Sequence, residues 1–296
     1  MCGIFGFNWK NEQNASEISN LLKHRGPDGE GFLFEDNLTL GHRRLSIIDL
    51  SELGKQPMCN EDETIWITFN GEIFNFQEIK KDLIEKGHVF RSKTDTEVII
   101  HGYEEYGTDI LKKLNGQFAF CIYDKKKEEL FLARDRIGIN PLYYYVKDGK
   151  FIFGSELKAI MKMGIEKKIN KFALNYYLIY GYTPKKQSIL ENCFKLEAGH
   201  FLIFNLKSSK IDKYKRYWDV KFTNEIKDEE TAKKLILKQL ERSVKARMVA
   251  DVPVGAFLSG GVDSSAVVAI MSKYTNNLNT FSVKFDHDDF DESEFA

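Results

Sequence analysis

Short apolar stretches that are rich in β-branched and aromatic residues and are bounded by Gly, Asn and Asp dominate the first half of the chain, a pattern typical of strands. They are CGIFGFNW, LTLGHRRLSIIDL, TIWITFNGEIF, GQFAFCIYD and ELFLARDR. One interlude has helical spacing instead, in NFQEIKKDLIEKGH and DTEVIIHGYEEYGTDILKKL. Further along, PLYYYVKDGKFIFGSE predicts a hairpin that turns at Asp148 and Gly149. The first half therefore predicts strands with one helical interlude.

The pattern changes after about residue 170. FALNYYLIYGYTP predicts a helix ending at Gly181, AGHFLIFNL predicts a strand, and the lysine-rich KSSKIDKYKRYWDV predicts a connector. Helix, strand, helix and strand then follow in KDEETAKKLILKQLERSVKARMVA, VGAFLSGG, SSAVVAIMSKY and NTFSVKFD. This order is typical of a parallel α/β sheet.

The length of 296 residues favours two domains, because one core usually stops growing at roughly 250–300 residues. We place the first domain at 1–210, a connector at 211–228 and the second domain at 229–296. Two strands alone leave the faces and edges of a parallel sheet uncovered. We therefore expect the sequence to stop inside its second domain.

Charge and cysteine content exclude several classes of function. Lys and Arg total 43 and Asp and Glu total 44, a net charge of −1 that favours neither nucleic acid nor an anionic membrane. Apolar runs are too short for a membrane span or a signal peptide. The cysteines form no CxxC pair, which argues against a zinc site or a disulfide framework and favours a reducing cytoplasm: Cys2, Cys59, Cys121 and Cys193.

Cys2 is the first candidate for chemistry. Removal of Met1 is expected before a small residue, and it would leave Cys2 with a free α-amine whose ordinary pKa is about 7.7–8.0. One residue would then supply a nucleophilic thiol and the base that activates it. The alternative is a frayed terminus, but the apolar alternation of GIFGF favours a terminus fixed in a sheet.

Asn70 and Gly71 are the second candidate. In isolation they predict a type I′ hairpin turn, although a helix follows them rather than a partner strand. An asparagine amide and the N–H of the next glycine can also donate jointly to an oxyanion, as acyl transfer requires.

Seven motifs together resemble the class II glutamine amidotransferase domain of the N-terminal nucleophile hydrolases: MCGIFGF, HRGPDG, GHRRLSIIDL, FNGEIFN, TDTEVI, ARDRIGINPLYY and GSELKAI. The later DVPVGAFLSGGVDSS resembles the ATP-pyrophosphatase loop of the glutamine-dependent asparagine synthetase family. The resemblance implies an αββα sandwich over 1–210, followed by the start of an α/β parallel-sheet domain at 229–296.

For the first domain, the resemblance implies that Cys2 is the nucleophile and that Asn70 and the Gly71 N–H form the oxyanion hole. It also implies that Arg44 holds the glutamine α-carboxylate. A zwitterionic substrate needs carboxylates as well, and the acidic residues of these motifs are implied to bind its ammonium group: Glu72 and Asp95.

The alternative for each of these charged residues alone is a surface salt bridge. The neighbouring Arg43 is expected to point to the opposite face of its strand and to be structural.

For the second domain, glycines and a helix N-terminus in LSGGVDSS suit a phosphate group, although the loop is not a Walker A motif. The resemblance implies an ATP site made of Leu258, Ser259, Gly260, Gly261, Asp263, Ser264, Ser265 and Val283. It assigns Asp263 to Mg²⁺, with helix N-capping as the alternative. Leu258 and Val283 could otherwise be strand core residues.

The implied reaction joins two steps. Glutamine is hydrolysed through a Cys2 thioester, and the ammonia displaces AMP from an aspartyl adenylate made with ATP and Mg²⁺, giving asparagine. A homodimer is possible. The second phosphate loop is expected beyond residue 296, so these residues alone predict glutaminase activity at most. The alternatives are a related amidotransferase acting on another carboxylate, as in β-lactam-forming or surface-polysaccharide enzymes, and a non-catalytic glutamine sensor.

The remaining candidates are weaker. Asn140 stands where the family usually has Lys, and Val262 replaces Leu or Ile; neither is expected to touch the chemistry. His24 and His42 lie in family motifs without a catalytic role. The acidic run FDHDDFDESE predicts a solvated loop rather than a metal site.

Overall fold

The computed structural model describes residues 1–223, 225–284 and 292–296. The chain divides into two compact units, Met1–Val220 and Lys221–Ala296. Within the described ranges, no helix combines the length and the apolar character needed to cross a membrane.

Two six-stranded antiparallel sheets build the first unit. The strand order in the first sheet is Cys193–Lys195 (β10), Tyr143–Lys147 (β8), Lys150–Gly154 (β9), Gly3–Phe7 (β1), Leu38–Arg44 (β3) and Gly29–Glu35 (β2). The order in the second sheet is Lys210–Arg216 (β12), His200–Asn205 (β11), Glu129–Arg134 (β7), Gly116–Asp124 (β6), Ile65–Ile73 (β5) and Met58–Cys59 (β4).

The first unit also contains helices. They are Glu12–Leu21 (α1), Phe76–Glu85 (α2), Glu97–Tyr106 (α3), Ile110–Lys113 (α4), Leu157–Met161 (α5) and Lys171–Tyr180 (α6). Short 3₁₀ turns occupy Glu52–Gly54 and Gly107–Asp109.

The alternation of side chains along β6 shows how these layers stack. Ala119 and Cys121 pack with Ile4 and other residues of the first sheet, so they lie between the sheets. Phe120, one residue away, packs with the residues of α2, α3 and α4 on the outer face. Helices α1 and α5 pack against the outer face of the first sheet in the same way. The predicted four-layer αββα sandwich is confirmed.

Two local predictions from turn chemistry are also confirmed. Asp148 and Gly149 both have positive φ, 51° and 73°, as a type I′ hairpin turn between β8 and β9 requires. Helix α6 ends at Gly181, which adopts the left-handed conformation with φ 76°.

The connector prediction is wrong for half of the stretch 207–220, because Lys210–Arg216 forms the edge strand β12. A register shift between Ile203 and Phe204 of β11 explains why the pattern was missed. The shift allows Ile211 and Tyr214, three positions apart, to pack on the same core. The turn-rich loop predicted at 24–31 also differs, since its last residues begin β2.

The second unit contains a strand–helix–strand arrangement, as predicted. Its elements are Glu229–Ala246 (α7), Gly255–Phe257 (β13), Val262–Met271 (α8) and Asn279–Phe281 (β14), and the two strands are parallel. The strand β13 is largely exposed. Ala256 packs on a small core beneath α7 and α8, whereas Phe257 is 82% exposed, because the described helices cover only one face of the strand pair.

Candidate active site

A single pocket in the first unit contains every residue that the resemblance assigned to glutamine: Cys2, Arg44, Asn70, Gly71, Glu72 and Asp95. Cys2 directly precedes β1, and Arg44 ends the neighbouring strand β3 of the same sheet. Asn70 and Gly71 belong to β5 of the other sheet. The pocket therefore lies where the two sheets approach each other at one end of the sandwich.

His42 ties the two sheets together beside this pocket. Its Nε2 donates to the backbone oxygen of Phe69, at 3.1 Å, and the Thr68 hydroxyl donates to the Gly41 oxygen, also at 3.1 Å. His42 is fully buried, and burial lowers its pKa to about 3, so the imidazole is neutral. It acts as a fixed link between β3 and β5.

The Cys2 thiol lies against the chain that follows β3. The Leu45 N–H donates to the thiol sulfur at 3.3 Å. Burial raises the pKa of the Cys2 thiol above its ordinary value, although the Leu45 N–H and the terminal ammonium group oppose that rise. The thiol is therefore protonated at neutral pH and needs a base to become a nucleophile.

Two motif residues without an assigned role hold the start of the chain in place. Arg25 Nε donates to the Cys2 oxygen at 2.9 Å, and its guanidinium forms an ion pair with Glu156 at 3.2 Å. Ser155 accepts the Ile4 N–H at 3.0 Å. These residues of the HRGPDG and GSE motifs therefore fix the position of the N-terminus. This role is visible only in the three-dimensional contacts.

Backbone oxygens orient Arg44. Its guanidinium donates to the Ser51 oxygen at 2.8 Å and also to the Asp49 oxygen. A side chain at Gly54 would place its Cβ 2.0 Å from the guanidinium, so only glycine leaves room for this arrangement. Arg43 instead bonds to Gly26 and Glu30 and does not line the pocket, in agreement with a structural role.

The backbone of β5 directs one N–H group toward the pocket. The Phe69 N–H donates to Gln56 Oε1 at 2.7 Å, and the Ile73 N–H donates to Asp95 Oδ2 at 2.8 Å. Alternate N–H groups of a strand point to the same side, so the Gly71 N–H, midway between them, points there as well. Gln56 and Asp95 both line the pocket.

Asn70 supplies a second donor beside that N–H group. Its side chain is 1% exposed, and its Nδ2 has no hydrogen-bond partner among the described residues. A buried donor without a partner destabilises the fold, which indicates a group reserved for a ligand. The type I′ turn weighed for Asn70 and Gly71 is wrong, because both residues pair with β6 inside a continuous strand.

Gly71 is required by the close approach of these strands. A Cβ at this position would lie 2.2 Å from the Gln117 oxygen and 2.7 Å from the Phe118 Cα. Both are backbone atoms of β6, so any side chain would push the strands apart.

Asn140 was expected to be remote from the chemistry, and this was wrong. The residue lines the pocket, and its Nδ2 donates to the Asn70 oxygen at 3.0 Å. That oxygen belongs to the same peptide unit as the Gly71 N–H, so the bond fixes the plane of the unit. The backbone of Asn140 is held by Asp135, whose carboxylate accepts the Asn140 N–H at 3.0 Å.

The acidic side of the pocket contains Glu72 and Asp95. Asp95 is almost fully buried, and burial raises its pKa from 3.8 to about 6, although backbone N–H groups such as that of Ile73 oppose the rise. One guanidinium from Arg44 and two carboxylates therefore face the same small space. This arrangement complements a zwitterionic amino acid.

The raised pKa of Asp95 predicts a stability effect. The folded state binds the proton more tightly than the unfolded state, so stability is lost as the pH rises from 3.8 through about 6. We expect Asp95→Asn to stabilise the protein at pH 7.5 by up to about 3 kcal/mol, since one pKa unit corresponds to about 1.36 kcal/mol. Denaturant unfolding at pH 7.5 and at pH 3.5 measures this. Equal gains at both pH values would contradict the assignment.

The loop of the second unit does not gather its predicted residues into one pocket. Leu258, Ser259 and Val283 line one cavity, whereas Asp263 and Ser264 line another. The pocket linings do not include the other three predicted residues, Gly260, Gly261 and Ser265.

Contacts within this loop hold it in a compact turn. The Ser259 N–H donates to Ser264 Oγ at 3.2 Å, and the Ser265 N–H donates to the Gly261 oxygen at 3.0 Å. The N-capping alternative for Asp263 is wrong, because Gly261 is the N-cap residue of α8 and Asp263 lies in its first turn.

Two other expectations concern this unit. Leu258 donates its N–H to the Phe281 oxygen at 2.9 Å and so belongs to the strand pair, whereas Val283 is 65% exposed rather than a core residue. Most of the acidic run FDHDDFDESE lies outside the described residues.

The αββα sandwich with a thiol at the start of a central strand defines a glutamine amidotransferase domain. The chain belongs to this family: the glutamine amidotransferase domain matches residues 1–218, and the asparagine synthase family matches residues 235–296.

The chain is similar to a putative glutamine-hydrolysing asparagine synthetase 2 of Methanocaldococcus jannaschii, with 45% identity over 97% of this chain and 60% of that protein. It is also similar to the glutamine-hydrolysing asparagine synthetase 1 of Bacillus subtilis, with 36% identity over 100% of this chain and 48% of that protein. The chain thus spans about half the length of the curated relatives it matches.

A solved structure of glutamine phosphoribosylpyrophosphate amidotransferase from B. subtilis, complexed with ADP and GMP, has the same fold. The TM-score is 0.53 at 18% identity, over 97% of this chain and 67% of that one.

Proposed function

We propose that the first unit hydrolyses glutamine and releases ammonia. The observation that carries this proposal is the pair of donors beside the thiol: the unpartnered Asn70 amide and the inward-pointing Gly71 N–H. A tetrahedral acyl intermediate needs two such donors at its oxygen. The charged residues of the pocket then orient the substrate, with Arg44 on the α-carboxylate and Asp95 and Glu72 on the ammonium group.

The steps follow from these groups. Once Met1 is removed, the α-amine of Cys2 accepts the thiol proton, and the sulfur attacks the carboxamide carbon of glutamine. Negative charge on the carbonyl oxygen is stabilised by Asn70 and Gly71. As the carbon–nitrogen bond breaks, the ammonium group of Cys2 returns the proton to the leaving nitrogen and ammonia is released. Water then attacks the thioester, which gives glutamate and frees the thiol.

For the whole protein we propose glutamine-dependent asparagine synthesis, in which this ammonia reacts with an aspartyl adenylate formed from aspartate and ATP. The support is the order of the two family matches and the names of the relatives. The expected setting is the cytoplasm, and the possible homodimer stays a prediction.

The loop at 258–265 is the proposed binding site for the ATP phosphates. Glycines allow a close backbone approach, and the first turn of α8 presents N–H groups at a helix N-terminus. Oxygen donors from Asp263, Ser259 and Ser264 suit Mg²⁺, which would neutralise phosphate charge when bound.

The full-length protein provides the test of this function. A glutamine analogue with a diazoketone in place of the carboxamide should alkylate Cys2, as identified by peptide mass spectrometry. Glutamine and ammonia should each support asparagine formation from aspartate and ATP, and alkylation should abolish only the glutamine-dependent reaction. Labelling at another residue, or equal loss of both reactions, would argue against the proposal.

Gly54→Ala tests the carboxylate-binding role of Arg44. The added Cβ displaces the guanidinium from its backbone acceptors, so we expect KM for glutamine to rise about 10–100-fold with a smaller change in kcat. Gly29→Ala is the matched control, because its Cβ would lie an ordinary 3.8 Å from Arg44 Cβ. Steady-state glutaminase kinetics measure both variants. Similar KM values for the two would refute the assignment.

A further inference from the structure

A cluster of imidazole and carboxylate groups lies on the outer side of the first unit, away from the residues that line the Cys2 pocket. His101 and Glu104 belong to α3, and His88 lies in the segment that follows α2. One ligand atom from each of these three residues lies within 4.8 Å of the others. We propose that His88, His101 and Glu104 bind a divalent transition metal ion of the Zn²⁺ class.

The spacing of the three side chains suits such an ion. His101 and Glu104 are three residues apart, so they lie on the same face of α3. His101 Nδ1 is 2.7 Å from Glu104 Oε2, and His88 Nδ1 is 3.6 Å from the same oxygen. Ligand atoms at about 2.0–2.2 Å from a tetrahedral Zn²⁺ are separated by roughly 3.3–3.6 Å. Small movements of the partly exposed His88 and Glu104 side chains bring all three atoms into this range.

The second nitrogen of His101 provides an independent indication. His101 is 1% exposed, and its Nε2 has no hydrogen-bond partner among the described residues. The nearest groups are two carboxylates, Glu97 at 3.6 Å and Glu61 at 3.8 Å. Metal-bound histidines commonly direct their other N–H at a carboxylate, which leaves the opposite lone pair for the metal. In this structure His101 Nδ1 donates to Glu104 Oε2 at 2.7 Å, so a metal ion at Nδ1 would take the place of that proton.

The outer carboxylate is itself held in position. Glu97 accepts the backbone N–H groups of Arg91 and Ser92, each at 2.8 Å, and the Ser92 hydroxyl. A carboxylate anchored by three donors cannot easily turn away from His101. It is therefore suited to fix the orientation of the ring.

The local charge also favours a dication. Four carboxylates surround two imidazoles, with Glu105 lying 3.6 Å from His88 Nε2. A metal ion bound at His101 Nδ1 would neutralise part of this negative charge.

Titration of the full chain with Zn²⁺ and with Co²⁺ tests the site. The Cys2→Ala background is used, so that the catalytic thiol does not contribute a ligand. We expect one Zn²⁺ per chain by calorimetry, a Co²⁺ absorption spectrum with nitrogen and oxygen ligation, and an increase in Tm on metal addition. The site shares no residue with the Cys2 pocket, so the result is independent of the proposed glutaminase function.

Variants decide whether these residues are the ligands. His88→Ala and Glu104→Gln should each weaken Zn²⁺ binding at least 100-fold and remove the increase in Tm, and both positions are exposed enough for the fold to persist. His200→Ala is the control, since the contacts of the His200 ring are a hydrogen bond to the Ala198 oxygen at 2.8 Å and a tilted ring contact with Tyr214. Absence of Zn²⁺ binding to the Cys2→Ala protein, or equal affinity in all three variants, would overturn the proposal.

Discussion

Replacing Cys2 with alanine is expected to abolish glutamine hydrolysis, with a fall in kcat of about 10⁴–10⁶-fold, because no other group in the pocket can form the thioester. In the full-length protein, asparagine formation from free ammonia should persist. Among the described residues the thiol hydrogen-bonds to the Leu45 backbone alone, so Tm should change little. Glutaminase and ammonia-dependent assays on one preparation separate lost chemistry from lost folding. Residual glutaminase activity near the wild-type rate would contradict the mechanism.

Retention of Met1 should have nearly the same effect with the thiol still present. Met1 lines the pocket, and when it is retained the nitrogen of Cys2 is part of a peptide bond and cannot accept a proton at neutral pH. A chain with an uncleaved N-terminal extension is therefore expected to lose turnover. Intact-mass measurement establishes the state of the terminus in each preparation. Full turnover by an extended chain would show that another group acts as the base.

Asn70→Ala is expected to lower kcat for glutamine about 10²–10³-fold, the usual effect of removing one oxyanion donor. Stability should not fall as it does for an ordinary buried asparagine, because the lost Nδ2 has no partner in the fold. Denaturant unfolding and glutaminase kinetics measure the two quantities.

Asn60→Ala is the matched control for Asn70→Ala. Asn60 is also buried, at 4% exposed, but its side chain bonds to Thr64, to the Ile65 N–H and to Glu104. The Asn60→Ala variant should be less stable than the wild type, with an unchanged kcat for glutamine. A fall in kcat for Asn60→Ala as large as that for Asn70→Ala would remove the argument for an oxyanion donor.

The sequence predicts much of the first unit, for reasons that individual strands make clear. GQFAFCIYD has a continuous apolar run from Phe118 to Tyr123 that is buried on both faces, and it forms β6 with the same first and last residues. In β12 the alternation is broken by a register shift, and lysines occupy the exposed positions, so the same rule indicates a connector. Local pattern is therefore reliable only where the strand is regular.

In the candidate site, some residues could be predicted from the sequence and others could not. Its residues lie in motifs that can be recognised from the resemblance, and the fold brings all six to one pocket. Arg25, Asn140 and His42 are different, because their contribution depends on contacts with residues distant in sequence. Asn140 bonds to a residue 70 positions away, and no local pattern contains that information.

The lysine-rich edge strand β12 restricts how two copies of this chain can associate. Its exposed residues include the four cations Lys210, Lys213, Lys215 and Arg216 and one acidic residue, Asp212. Antiparallel pairing of two such edges would bring like charges opposite one another, which is destabilising. A continuous twelve-stranded sheet formed through β12 is therefore disfavoured, and edge-to-edge aggregation at this end of the sheet is suppressed by electrostatic repulsion. A dimer, where one forms, is therefore expected to use a different surface.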